Sequence, residues 1–114
     1  MLKRVVVAAI GVAFLSGASL FAQDAKKAAD GKKAYDAKGC SVCHLIAGKG
    51  SKIAPLDGVG TKLKEADIKK WLTDAAAMEK TLTPAPKIKM SSKKLTLTPT
   101  EIDDLVAYLL TLKK

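Results

Sequence analysis

The two cysteines and the only histidine of this 114-residue chain fall within five consecutive residues, Cys40-Ser41-Val42-Cys43-His44. Any fold for the chain must present these three side chains together on one tight segment. Several chemistries use a Cys-x-x-Cys pair. A disulfide between Cys40 and Cys43 would close a very small loop and so stabilise little. A thioredoxin-like dithiol sits in a βαβ setting, and the sequence shows no strand pattern. A zinc site needs a fourth ligand and usually draws on a second Cys/His pair, which the chain lacks. All three leave the adjacent histidine without a role. Covalent attachment of a haem uses every residue. Each thiol adds to one vinyl group and becomes a thioether, and the two-residue spacer lets both sulfurs reach the vinyls on one edge of the porphyrin. His44 then lies beneath the iron as the proximal ligand. The expected cofactor is therefore one haem c, held by Cys40, Cys43 and His44.

The N-terminal segment reads as an export signal rather than as part of a fold. Met1-Leu2-Lys3-Arg4 is a short positive start, residues 5–15 are almost unbroken apolar sequence, and residues 16–22 are small and weakly polar. Gln23-Asp24-Ala25-Lys26-Lys27 is then abruptly hydrophilic. That order is the pattern of a secretory signal peptide, with cleavage expected after Ala22 and a periplasmic mature domain over residues 23–114. The apolar run is shorter than the roughly 20 residues a membrane span requires; the competing reading is an uncleaved anchor. No cysteine lies in this segment to carry a lipid.

Removing residues 1–22 leaves 18 basic and 11 acidic residues, a net charge of +7. Such a surface favours anionic partners and speeds encounter with them. Nucleic acid is a poor candidate, because every remaining cation is Lys and no aromatic residues interleave with them to stack on bases. The mature chain has few large apolar side chains, since Phe14 and Phe21 both leave with the leader. A domain this small usually needs a staple. A bound apolar cofactor would serve as one, and the form without it should be poorly folded.

A haem held by one histidine takes a second axial ligand. No second histidine exists, so the candidates in the mature chain are Met78 and Met90. Met90 lies in the polar, helix-poor stretch Lys87-Ile88-Lys89-Met90-Ser91-Ser92, where a loop can bend a thioether onto iron. Met78 follows three alanines at the end of an expected helix, a more usual place for a packing methionine. Met90 is therefore the expected ligand, in keeping with His/Met ligation in electron-transfer haems.

The periodicity predicts an all-α fold of three main helices and no sheet. The first covers residues 24–38, with Ala28, Gly31 and Tyr35 on one face and Gly39 ending it. A Gly-rich loop follows over residues 45–60. The second helix covers about 63–76, with Ile68, Trp71 and Leu72 on one face. Residues 81–98, containing Pro84 and Pro86, form the methionine loop. The last helix opens on Thr98-Pro99-Thr100-Glu101, a capping box with Pro at the first helical position. It repeats Ile102, Leu105, Leu109 and Leu112 on one face, and Lys113 and Lys114 are expected to complement its dipole.

With these motifs the chain resembles the class I monohaem c-type cytochromes of bacteria over nearly all of residues 23–114. Gly31-Lys32-Lys33-Ala34-Tyr35 is similar to the family's glycine with an aromatic four residues on. Leu105-Val106-Ala107-Tyr108 is similar to its partner on the last helix, which crosses the first one closely. Ile53-Ala54-Pro55-Leu56-Asp57-Gly58-Val59-Gly60 is similar to a Gly-Pro-x-Leu-x-Gly segment, although Pro and Leu are adjacent here. The resemblance implies that the Pro55 carbonyl accepts from His44 and that Trp71 donates to a haem propionate, with a core aromatic as the alternative for Trp71. It also implies electron transfer without substrate chemistry. On this reading a monomeric carrier, not membrane-spanning when mature, meets redox proteins with acidic docking surfaces. Lys49, Lys52, Lys87, Lys89, Lys93 and Lys94 are placed to rim its exposed haem edge. Two other functions use the same haem: a fixed electron-transfer subunit of an oxidoreductase, and a haem enzyme or gas sensor with an open sixth position. The last is disfavoured by the lack of a distal histidine and of any arginine in the mature chain.

Overall fold

The computed structural model describes residues 12–114, with side chains from residue 23 onward. The predicted leader, residues 1–22, lies outside the residues described in that detail. Helix α1 spans Val12–Ala37. It therefore begins upstream of the expected start at residue 24, across a stretch with no proline to break it. It ends where expected: Lys38 N–H closes the last turn on Ala34 O at 2.9 Å and Gly39 takes a left-handed conformation (φ 70°). A single 3-10 turn, Cys40–Val42, follows at once.

The structure corrects the expectation that there is no sheet. Strands β1 (His44–Ile46), β2 (Lys49–Gly50) and β3 (Ala54–Pro55) form a three-stranded sheet in the order β2-β1-β3. β1 and β2 are antiparallel, with Ile46 opposite Lys49, and β1 and β3 are parallel, with His44 opposite Ala54. Strands of two or three residues are too short to display a period of two in the sequence. The hairpin turn is Ala47-Gly48, both with positive φ (51° and 81°). Alanine there is not the Asn or Asp that normally announces such a turn.

Helix α2 (Val59–Lys62) leads into α3 (Glu65–Thr73) and α4 (Ala75–Glu79). The single second helix expected over 63–76 is thus two helices. Asp74 separates them: its backbone leaves helical geometry (φ −149°, ψ 65°) and its Oδ1 accepts from Ala77 N–H at 3.2 Å. A short acidic residue used as an N-cap outweighs the helical preference of the alanines after it. A second 3-10 turn, Met90–Lys93, precedes the last helix, α5 (Pro99–Leu110). The capping box forms as expected. Thr98 Oγ1 accepts from Glu101 N–H at 3.1 Å, and Glu101 Oε1 accepts from Thr98 N–H at 2.9 Å. Because α5 closes at Leu110, Lys113 and Lys114 lie beyond its last turn, which carries no basic residue.

Helices α1 and α5 make the dominant contact of the fold. Gly31 is buried at their crossing, and a Cβ there would collide with the carbonyl oxygen of Asp104 and lie 2.7 Å from Tyr108 Cβ. One turn on, the Tyr35 and Tyr108 rings meet edge to face, centroids 5.9 Å apart at 62°, an arrangement worth about 0.5–1.5 kcal/mol beyond burial. Burial pushes both phenols up, Tyr35 to about 12, so both rings remain neutral. On the other side of α5, Val106 and Leu109 pack with Val59 and Ile68, flanked by Leu56, Leu63 and Leu72. This is a small core, as the scarcity of large side chains implied.

Two expectations follow. Gly31→Ala should lower unfolding stability by about 1–3 kcal/mol, because the obstacle is backbone; denaturant unfolding of the holoprotein measures it, and an unchanged midpoint would show that the crossing can widen freely. The Glu101 carboxyl is held below its ordinary range by the Thr98 N–H and then by Lys38, whose Nζ lies 3.6 Å away. A lowered folded value means that its stabilisation is complete above the unfolded carboxylate range and lost as pH falls through the folded value. Glu101→Ala should therefore be less stable than the parent at neutral pH, with the gap narrowing in acid; a gap independent of pH would show that charge plays no part.

Candidate functional site

The turn that follows α1 is fixed almost entirely through its backbone. Val42 N–H bonds to Gly39 O (3.1 Å) and Cys43 N–H to Cys40 O (3.2 Å), so the two cysteines stand one 3-10 turn apart. The parallel strand β3 then locks the segment in place: Ala54 N–H donates to Cys43 O and Leu56 N–H to Leu45 O, both at 2.9 Å. Ser51 N–H is shared between His44 O (3.0 Å) and Ser41 O (3.1 Å).

His44 gains its orientation from the same pairing. Its Nδ1 lies 2.7 Å from the carbonyl oxygen of Ala54. A carbonyl can only accept, so Nδ1 carries the proton and Nε2 keeps its lone pair for a metal. This corrects the expectation for Pro55. The acceptor is one residue earlier, because the register sets His44 opposite Ala54 and Leu45 opposite Pro55. Pro55 itself is exposed.

Cys40, Cys43 and His44 line a cleft of about 350 Å³, together with Val42, Ile53, Ala54, Ile88, Met90 and Leu95 and the basic residues Lys38, Lys89 and Lys93. Met90 is thus brought to the same cleft as His44, whereas Met78 does not line it. Trp71 sits half-buried on α3 and does not line it either. Of the six lysines expected at the rim, Lys89 and Lys93 are there; Lys38, at the end of α1, is a third that the sequence reading missed. Ile53 and Ile88 were also missed as lining residues, having no periodic partners, and Val42 was passed over as spacer.

The lining has the chemistry of a site for a large apolar group. Val42, Ile53 and Ile88 are 67%, 53% and 52% exposed. They are three of the four large hydrophobic residues exposed among the described residues, and all three border the cleft. Cys40 and Cys43 are not joined in a disulfide, and burial pushes the Cys40 thiol up. A dithiol reductant needs the opposite, a depressed thiol. No group of three or more His, Cys, Asp and Glu side chains suited to a metal occurs among the described residues.

A family model described as Cytochrome c matches residues 28–113, from the first helix through the end of α5. The chain belongs to the cytochrome c family. Comparisons with curated proteins and with solved structures returned no match. Membership brings one covalently bound haem c and electron transfer through it, and the residues present fit that group. Two cysteines on one turn, an imidazole presenting Nε2 and three exposed aliphatic side chains share one cleft. No helix among the described residues is long and apolar enough to cross a membrane.

If both thiols are consumed as thioethers, the denatured holoprotein should show no reactive thiol and should weigh one haem more than the polypeptide. Cys40→Ala or Cys43→Ala should leave a single attachment. Alkylation followed by intact-mass measurement reads both, and two free thiols in haem-loaded protein would overturn covalent attachment.

Proposed function

We propose that the chain is an exported one-electron carrier whose haem is ligated by His44 and Met90, shuttling between redox proteins in the periplasm. The observation that carries this reading is the convergence of Cys40, Cys43, His44 and Met90 on one cleft, with the alternative thioether, Met78, elsewhere. When bound, the haem supplies a one-electron couple, and a thioether ligand favours the reduced form and so a higher potential. The chain's own contributions are separable. Cys40 and Cys43 anchor the group. The bond between His44 Nδ1 and Ala54 O fixes the ring orientation and makes Nε2 a better donor. Val42, Ile53, Ile88 and Leu95 keep water from the faces they cover, which lowers the local dielectric and tunes the couple.

No proton transfer is required of any residue, and the cleft lining contains no carboxylate, no arginine and no second histidine beside His44. This favours a carrier over a peroxidase-like enzyme. Lys38, Lys89 and Lys93 at the cleft support docking to acidic surfaces, because a cluster of like charge at the exposed edge steers association. Export rests on the leader pattern of residues 1–22, and a monomer with freely exchanging partners is the simplest assembly for such a shuttle.

The deciding test is the ferric spectrum of Met90→Ala. Loss of the far-red methionine-to-iron band, high-spin bands and a lower potential are expected, while Met78→Ala keeps the parental spectrum; the reverse pattern would transfer the ligand role to Met78. Docking is read separately. Electron-transfer rates with an acidic partner should fall as salt rises through the range where screening sets in, about 0.01–0.15 M, and Lys89→Ala/Lys93→Ala should flatten that dependence. A salt-independent rate would remove the steering role.

A further inference from the structure

Glu79 is the one buried charged side chain among the described residues, 6% exposed at the end of α4. It belongs to neither of the ion pairs found there. A carboxyl taken from water without hydrogen bonds is costly, so its partners indicate what holds it. Both are on one residue. Ser91 N–H donates to Oε1 and Ser91 Oγ donates to Oε2, each at 2.8 Å. Ser91 directly follows Met90.

We infer that Glu79 is a positioning residue for the Met90 ligand, clamping Ser91 so that the thioether stays on its side of the cleft. The inference rests on the reading of Met90 as the axial ligand. The segment between α4 and Met90 contains no helix or strand, so regular structure does not fix where residue 90 falls. The Glu79–Ser91 pair spans 12 residues and ties the 3-10 turn Met90–Lys93 back to α4, which itself is anchored by the Asp74 cap. Within the turn, Ser92 Oγ donates to Lys89 O at 2.6 Å, giving it shape but no attachment to the rest of the fold. A thioether makes only weak hydrogen bonds. The neighbouring serine is therefore the nearest handle by which the protein can hold the ligand, and a carboxyl with two parallel acceptors fixes both its position and its rotation.

The test is ligand exchange on the ferric holoprotein. At saturating imidazole, the rate at which imidazole replaces the protein ligand is limited by departure of Met90. Glu79→Ala should raise that limiting rate about tenfold, the factor expected when a hydrogen bond to a carboxyl is lost. Glu79→Gln still offers an oxygen to the Ser91 N–H and an amide to its hydroxyl, and should stay near the parent. Ser91→Ala, the mildest change, removes only the hydroxyl bond and keeps the main-chain one; it should raise the rate less than Glu79→Ala and add little on the Glu79→Ala background, where that bond is already gone. Gly31→Ala serves as a control that lowers stability far from the clamp and should leave the limiting rate unchanged. The inference is overturned if Glu79→Ala lowers only the unfolding midpoint, as Gly31→Ala does, with no gain in exchange rate, or if the effects of Glu79→Ala and Ser91→Ala add in full. Should the far-red band survive Met90→Ala, the ligand reading itself has failed, an outcome that the rates in the Glu79 and Ser91 variants cannot mimic.

Discussion

The close crossing of α1 and α5 at Gly31 is the contact on which everything between them depends. It joins the two ends of the described chain, and the intervening residues are mostly short elements with little independent stability. A helix of three or four turns is marginal alone, and helices of four, five and nine residues persist only by packing on a partner. Helix α5 is that partner for α2 and α3, while α4 leans on α3 and on the Met90–Lys93 turn: the outer side of α5 takes Val59 and Ile68, and its inner side meets α1 backbone to backbone. Once the crossing is set, the end of α1 is fixed, and with it the turn carrying Cys40, Cys43 and His44.

The functional cleft is built from two segments that the crossing positions but whose internal shape it does not set. One is the Cys-x-x-Cys-His turn, held by a miniature sheet through backbone bonds. The other is the methionine segment, tied to the body by Glu79 on one side and by Lys38 on the other, whose Nζ donates to Thr96 O at 3.0 Å. Lys38 also borders the cleft and pairs with Glu101 at the start of α5. A single side chain therefore connects the exit of the first helix, the entry of the last and the segment that follows Met90. The uncovered aliphatic residues between the two segments explain why so small a core can suffice in the family: part of the apolar interior comes with the cofactor.

Much of this was legible in the sequence, for identifiable reasons. The Cys40-x-x-Cys43-His44 motif is a covalent requirement and has little freedom to mean anything else. Gly31 with Tyr35, and Leu105 with Tyr108, were legible as a crossing only through the resemblance to the family, because the ring pair they form is long-range. The Thr98–Glu101 box is a local hydrogen-bond pattern, and it forms as read. The failures are non-local. The sheet depends on strands too brief to carry a period and on an Ala-Gly turn. The acceptor for His44 depends on a register that places Ala54, not Pro55, opposite it. The break at Asp74 required weighing one cap against three alanines. Glu79 gave no signal at all, because a glutamate before a lysine reads as solvent-exposed until the loop closes over it.

The identity of the His44 acceptor has a consequence for how this site tolerates change. The oxygen belongs to the main chain of Ala54, so no replacement of that side chain deletes it. Drift at position 54, or at exposed Pro55 beside it, alters the neighbourhood of the imidazole without removing its partner. Only a shift of the strand itself can do that. The orientation of the His44 imidazole is thus insulated from the genetic code at the acceptor position and is carried by topology, whereas the turn that carries Met90 is tied to α4 through side chains of a serine and a glutamate that single nucleotide changes can erase.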